Sequence, residues 1–334
     1  MLKKLLFIGF LVPVLAWSRE IKDEFIVTPE DFGCVSNNEE AAHENSLRLQ
    51  NAIDYAIANG TKIVSAIGKK YYIKESLIIN SPICIEFNMA SLIATDTMEM
   101  IVINDGFPTR WAGKIEGMKL DLNKRARSGI CLRKAVKLRI SDCAIIGIPN
   151  EGVGLCIEDG YENFVDNVHF EAGENYAIGI KIATHDCHFS DCAFINCHTA
   201  IYCSGSNFFE RMHAWMGSMG KWIENSVFFR INSAGPIFLY QCFSDTYDKA
   251  FEIVKSTRLF ICQQKNVHNK MMWRKKTDEI HPVFFYFESE KEAKESYVIL
   301  DNSFIGGLFV EEENLQSFSN HSTHHIKVNN TFIQ

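Results

Sequence analysis

The segments "VHFEAG" at 168–173, "RMHAW" at 211–215 and "FSDTYD" at 243–248 gather histidine, tryptophan and carboxylates in short spans. An aromatic face stacks on a sugar ring, and carboxylate or imidazole groups move protons. Hydrolysis of a glycosidic bond needs two carboxyl groups roughly 5 to 9.5 Å apart. Asp245 is the first candidate, and Asp248 is its expected partner because the chain turns there and would fold it back. β-Elimination needs instead a base at the sugar C5 and a cation against a uronate carboxylate, roles open to His213, Tyr247 and Lys265. The catalytic candidates are therefore Asp245, Asp248 and His213, with Trp215, His169, Glu171, Lys265 and Tyr247 as substrate-binding candidates. Both chemistries stay open.

Residues 213 and 245 become neighbours only if the chain returns on itself at regular intervals. Six segments share one register: Ile140-x-x-Cys143, Val165-x-x-Val168, Phe189-x-x-Cys192, Phe209-x-x-Met212, Leu239-x-x-Cys242 and Leu259-x-x-Cys262, each with a further residue two positions on. Their central positions step by 25, 24, 20, 30 and 20 residues. That period marks a solenoid in which every turn stacks on the last. Spacing at i, i+3 and i+5 reads as two short strands joined by one bend, occupied by Asp142, Asp166, Asp191 or Glu210. A third strand follows a small residue, as in Gly129-Ile-Cys-Leu, Gly154-Leu-Cys-Ile and Ala200-Ile-Tyr-Cys. Three strands per turn predict an all-β, parallel β-helix.

With Val168, Cys192, Met212, Cys242 and Cys262 inward, the register predicts an outward column of His169, Ala193, His213, Phe243 and Gln263. A second column holds Glu171, Ile195, Trp215, Asp245 and Lys265. At ~4.8 Å per turn, His213 and Asp245 lie roughly 8 Å apart on a diagonal, while Glu171 is about 14 Å from Asp245. Trp215 would then expose apolar area unless a ligand covers it, or the loop Asn269 to Asp278, whose Arg274-Lys275-Lys276 is a basic cluster. An outward His or Asp also has the plain reading of a solvated wall residue.

The rest of the chain bounds the answer. Its 334 residues, 47% hydrophobic and 22% charged, suffice for a large core. Residues 1–18 read as a signal peptide, with a basic start, a short apolar run and cleavage after Ser18, so the expected location is secreted or periplasmic with no membrane span. A net charge of -7 speaks against nucleic acid as a partner. The eleven cysteines fit buried thiols better than disulfides, since Cys143, Cys192, Cys242 and Cys262 fall in one inward column. An amphipathic helix from Asn45 to Asn59, capped by Asn45 or Ser46 and ended by Gly60, would cover the first strand edges. His321, His324 and His325 lack companion ligands and read as a polar last turn, and no metal is assigned. Two carboxylates, Asp245 and Asp248, are few for Ca2+, the only ion considered; no other cofactor is expected.

Asp31-Phe-Gly33, Asn45-Ser-Leu-Arg-Leu-Gln50, Lys62 to Ile73 with Gly68 and Tyr71, and Leu120-Asp121-Leu-Asn123 resemble the N-terminal signature of the pectate-lyase-like right-handed β-helix superfamily. That superfamily includes polygalacturonases, polysaccharide lyases and phage tailspikes. The resemblance spans nearly all of residues 19–334, with an N-terminal cap at about 26–60, and implies a polysaccharide as partner. It transfers no catalytic residue. The sequence has no Asp-Asp, no Gly-His-Gly and no suitably placed Arg-x-Lys of polygalacturonases, and Trp222-Ile-Glu-Asn225 lacks the histidine of the lyase motif. The expected function is polysaccharide cleavage by hydrolysis or elimination in a groove on one sheet; the alternative is a non-catalytic carbohydrate-binding or assembly protein.

Overall fold

The computed structural model describes residues 26–104, 113–216, 223–267, 283–305, 308–310, 326–329 and 331–333. The signal segment, the Asn269 to Asp278 loop and the three C-terminal histidines lie outside the described residues. Three parallel sheets of 12, 11 and 10 strands run the length of the solenoid. The first contains Arg139–Ser141, Phe164–Asp166, His188–Ser190, Phe208–Glu210, Pro236–Tyr240, Arg258–Cys262 and Tyr297–Asp301. The second contains Ala144–Ile148, His169–Ala172, Ala193–Ile195, His213–Trp215, Phe243–Asp245 and Lys265–Val267. The third contains Ser128–Leu132, Val153–Ile157, Ile178–Ile182, Thr199–Cys203, Val227–Ile231 and Lys249–Ile253. The parallel β-helix expected from the repeat is the fold.

The chain passes from the first sheet to the second through one residue with left-handed backbone. Asp142, Asn167, Asp191, Arg211, Gln241 and Gln263 all have φ between 51° and 55°. The expected Asp142 and Asp191 hold this place, but in two coils it falls one residue later, on Asn167 and Arg211 instead of Asp166 and Glu210. At each bend the backbone N–H donates to a carbonyl of the following coil, as from Asp142 to Asp166, Asp191 to Glu210 and Arg211 to Tyr240. Leaving the ladder therefore costs no hydrogen bond, which is why a β-disfavoured conformation is tolerated at every turn.

Inside, like side chains stack on like. Phe170 and Phe194 are parallel with centroids 5.1 Å apart, as are Phe189 and Phe209 at 5.0 Å. The small residues that open the third-sheet strands make room for these rings: a Cβ on Gly179 would stand 2.5 Å from the Phe194 ring. In the next coil the sizes exchange, with buried Ala214 on the second sheet and buried Phe228 on the third. A bulky ring on one sheet is thus met by a small residue on the other. Cys143, Cys192 and Cys242 are buried as expected, and burial pushes each thiol up to about 12.

The last inward position departs from the expected register. Cys262 pairs with Tyr240 at the edge of the first sheet and is only half-buried, whereas Gln264 occupies the buried site after Cys242. The strands Pro236–Tyr240 and Arg258–Cys262 are equally long, and the sheet pairs Leu259 with Ile237 and Ile261 with Leu239, so the coil steps by 22 residues and Gln264, not Cys262, follows Cys242.

The N-terminal helix α1 spans Ala42–Asn59 and ends at Gly60, whose φ of 63° fits a left-handed cap. It begins three residues before the expected start because Asn45 and Ser46 do not cap it. The Asn45 amide accepts from the Val35 N–H and donates to the Val35 and Tyr72 carbonyls, while Ser46 Oγ accepts from the Lys74 and Glu75 N–H groups. Gln50 likewise brackets Ile78 through both its N–H and its carbonyl. Three buried or half-buried polar side chains thus replace a neighbouring strand for the first coils, and Leu49, Ala52, Ile53 and Ala56 join the core beneath them.

Candidate functional site: two outer faces

The second sheet brings together most of the residues singled out by type. His169, Ala193, His213 and Phe243 are partners in successive strands, and so are Glu171, Ile195, Trp215 and Asp245. Lys265 belongs to the first of these columns and not the second: it pairs with Phe243, and Val267 pairs with Asp245. Gln263 leaves the column for the bend. Both corrections follow from the 22-residue step between these coils. In place, Lys265 Nζ stands 5.3 Å from the Phe243 ring centre, and His213 packs on the other side of that ring at 4.8 Å.

Asp245 and His213 perturb one another. Burial raises the Asp245 carboxyl above its ordinary value, with His213 opposing the shift, and burial lowers the His213 imidazole, with Asp245 opposing that. Asp245 Oδ1 is buried and finds no hydrogen-bond partner among the described residues, and Trp215, its partner on the adjoining strand, remains 39% exposed. Desolvation thus favours the neutral form of both groups. Two coils away, His169 Nε2 and Glu171 Oε2 approach to 3.7 Å on the surface.

Asp248 and Tyr247 stand elsewhere. Asp248 is buried, and its carboxylate accepts from the Ser226 N–H while its own N–H donates to Ser226 Oγ. Tyr247 is buried and its hydroxyl donates 2.8 Å to the Cys197 carbonyl. The turn folds both into the wall between the second and third sheets. Asp248 is thereby tied to Ser226 in the wall and does not stand beside Asp245 on the outer face as expected.

The first sheet carries a feature that the sequence reasoning missed. Phe164, His188, Phe208, Phe238 and Phe260 are partners in five consecutive strands, all pointing outward. Their centroids are 5.2, 4.7, 4.9 and 5.0 Å apart and their planes agree within 16°. The neighbouring column reads Asp166, Ser190, Glu210, Tyr240, Cys262 and Asp301. Apart from Asp166, these residues line a trough of about 720 Å3 along the solenoid axis. Phe164 is 42% and Phe208 38% exposed, so with the faces stacked on one another the outer ring edges meet solvent. Arg211 closes the margin next to Glu210, making two bonds of 2.6 Å to Asp191 and one to Glu210, which holds Asp191 below the usual carboxylate range. The signal was present in the sequence as an aromatic one residue before each inward Val, Phe, Leu or Ile, but attention to residues able to move protons passed over it.

A family model for the right handed beta helix region matches residues 112–235. No curated protein matches the chain by sequence. Among solved structures it is similar to the tailspike protein of Acinetobacter phage vB_ApiP_P1, at 10% identity and a TM-score of 0.63, covering 92% of this chain and 59% of the tailspike. The tailspike of Acinetobacter phage vb_AbaP_AS12 gives 10% identity and a TM-score of 0.52 over 94% of this chain and 62% of that one. The Dettilon tailspike protein gives 11% and 0.51, over 92% and 68%. The chain thus spans about three fifths of the first two structures, and the likeness is one of fold: a right-handed parallel β-helix. Among the described residues no helix is long and apolar enough to cross a membrane.

Proposed function

We propose that this is an exported protein that binds a polysaccharide lengthwise along the first sheet. The observation that supports the reading is the outward ladder of stacked rings beside a column of carboxylates and hydroxyls, lining one trough. A contiguous exposed aromatic stripe of this length is unfavourable unless something covers it, and successive pyranose rings present flat C–H faces with hydroxyls at their rims. The outer ring edges take the apolar sides of the sugars; Glu210, Tyr240 and Asp301 take hydroxyls. The polymer class is neutral rather than uronic, because the trough's own carboxylates would repel a polyanion.

A second reading, cleavage, is favoured by one specific observation: the opposed shifts of Asp245 and His213 beside the exposed Trp215. On this reading Asp245 donates the proton to the departing oxygen, His213 receives one from water or from the sugar ring, and Trp215 seats the sugar. Hydrolase and lyase remain alternatives for that step.

A panel of neutral and uronic polysaccharides tests both readings. Retardation of the protein in gels containing each polymer reads binding, new reducing ends read hydrolysis, and ultraviolet absorbance of an unsaturated product reads elimination. Retention by a neutral polymer that disappears in Phe208→Ala/Phe238→Ala is the expected result. Unchanged retention in that variant would remove the trough from the site.

A further inference from the structure

Cys131 and Cys156 face each other across adjacent strands of the third sheet, on the side away from the core that Ile130, Leu132, Leu155 and Ile157 fill. Glu158 follows two residues after Cys156. The two Sγ atoms and a Glu158 carboxylate oxygen all lie within 4.8 Å of one another, the one such triple of His, Cys, Asp or Glu among the described residues. All eleven cysteines are free thiols, and those of the inward column are inert apolar groups. This pair differs in having a carboxylate partner and a route to solvent, since Cys156 is half-buried and Glu158 exposed while Cys131 forms the floor.

From this arrangement we propose that Cys131, Cys156 and Glu158 bind a thiophilic divalent cation, of which Zn2+ is the biological example, with its fourth position open to water. Thiolate sulfur with one carboxylate oxygen is a donor set that zinc takes up and that magnesium or calcium avoids. Tetrahedral ligands around zinc stand roughly 3.8 Å apart, so small side-chain rotations close the site from its present span. The surroundings match in charge. Glu99 and Arg133 pair at 2.7 Å beside Cys131, and Lys181 is the strand partner of Cys156. With both thiols ionised, the two sulfurs, Glu158 and Glu99 exceed Arg133 and Lys181 by two negative charges, which one dication neutralises. Cation binding displaces the thiol protons to solvent.

The test is a titration of the full chain, reduced with a phosphine and kept anaerobic, with Cd2+ and then with Co2+. One equivalent producing sulfur-to-metal charge-transfer absorption, competed away by Zn2+, is expected. Cys131→Ser and Cys156→Ser should each abolish it, Glu158→Gln should weaken binding roughly tenfold, and Cys84→Ser should leave it unchanged. Alkylation of the wild type mapped by mass spectrometry gives a reading that needs no variant to fold: Cd2+ should protect Cys156 selectively. Absence of a stoichiometric signal, a signal that survives both serine variants, or equal alkylation with and without Cd2+ would overturn the site.

Discussion

The outer faces of the first and second sheets are built on the same coils by the same strand pairing, yet one repeats and the other does not. Five consecutive positions on the first sheet are aromatic and stack face to face. The corresponding run on the second is His169, Ala193, His213, Phe243 and Lys265. Rings at ~4.8 Å attract, by roughly 0.5–1.5 kcal/mol a pair, so an aromatic column stabilises itself while it builds a surface. Like charges at the same spacing repel, so a column of acids and bases must change type from coil to coil. Binding can thus be extended by repetition along a solenoid, whereas proton-moving groups gather at one level, here around His213 and Asp245.

Substitutions can separate the two faces. The largest expected effect is on turnover: Asp245→Asn should lower it by on the order of 10^2 or more if cleavage occurs, as loss of a general acid does, with retention by the polymer unchanged. A parallel fall in retention would merge the faces into one site. Next, Phe208→Ala/Phe238→Ala should weaken polymer affinity by about 10^2, near tenfold per ring, in calorimetry, and lower the melting temperature by roughly ten degrees because three stacked pairs of the column are lost.

A smaller effect concerns pH. The folded state lowers the His213 pKa, so the unfolded chain binds more protons just below 6.5 and stability rises with pH through that range. The raised Asp245 carboxyl acts oppositely, stability falling as pH rises from about 3.8 through its folded value. His213→Gln should flatten the upper rise in a series of melting curves between pH 4 and 7.5, and Asp245→Asn should flatten the lower fall. An unaltered profile would mean that neither group is desolvated. Smallest of all, Lys265→Ala should change affinity less than threefold, since its ammonium already rests 5.3 Å from the Phe243 ring centre.

The coil was legible in the sequence because apolar periodicity acts on every turn, and six weak matches reinforce one another. Register was legible for the same reason down to Cys242 and failed beyond it. Cys262 is small and apolar like its predecessors, while Gln264 is a residue that rarely enters a core, so pattern matching chose the wrong one. The inward turn of Asp248 and Tyr247 was beyond reach because Ser226, which ties Asp248, and Cys197, whose carbonyl receives Tyr247, are 22 and 50 residues away. Asn45 and Ser46 look like caps in isolation; only the edges of the strands they bind reveal their other task.

The exchange of large and small residues between Phe194 with Gly179 and Ala214 with Phe228 bears on how such a chain avoids error. Near-identical coils invite mispairing, in which a strand skips its neighbour and zips onto the one beyond. A coil displaced in this way would drive two phenyl rings into one space and leave another empty, so each winding rejects the wrong neighbour by its shape before its hydrogen bonds can tell the difference.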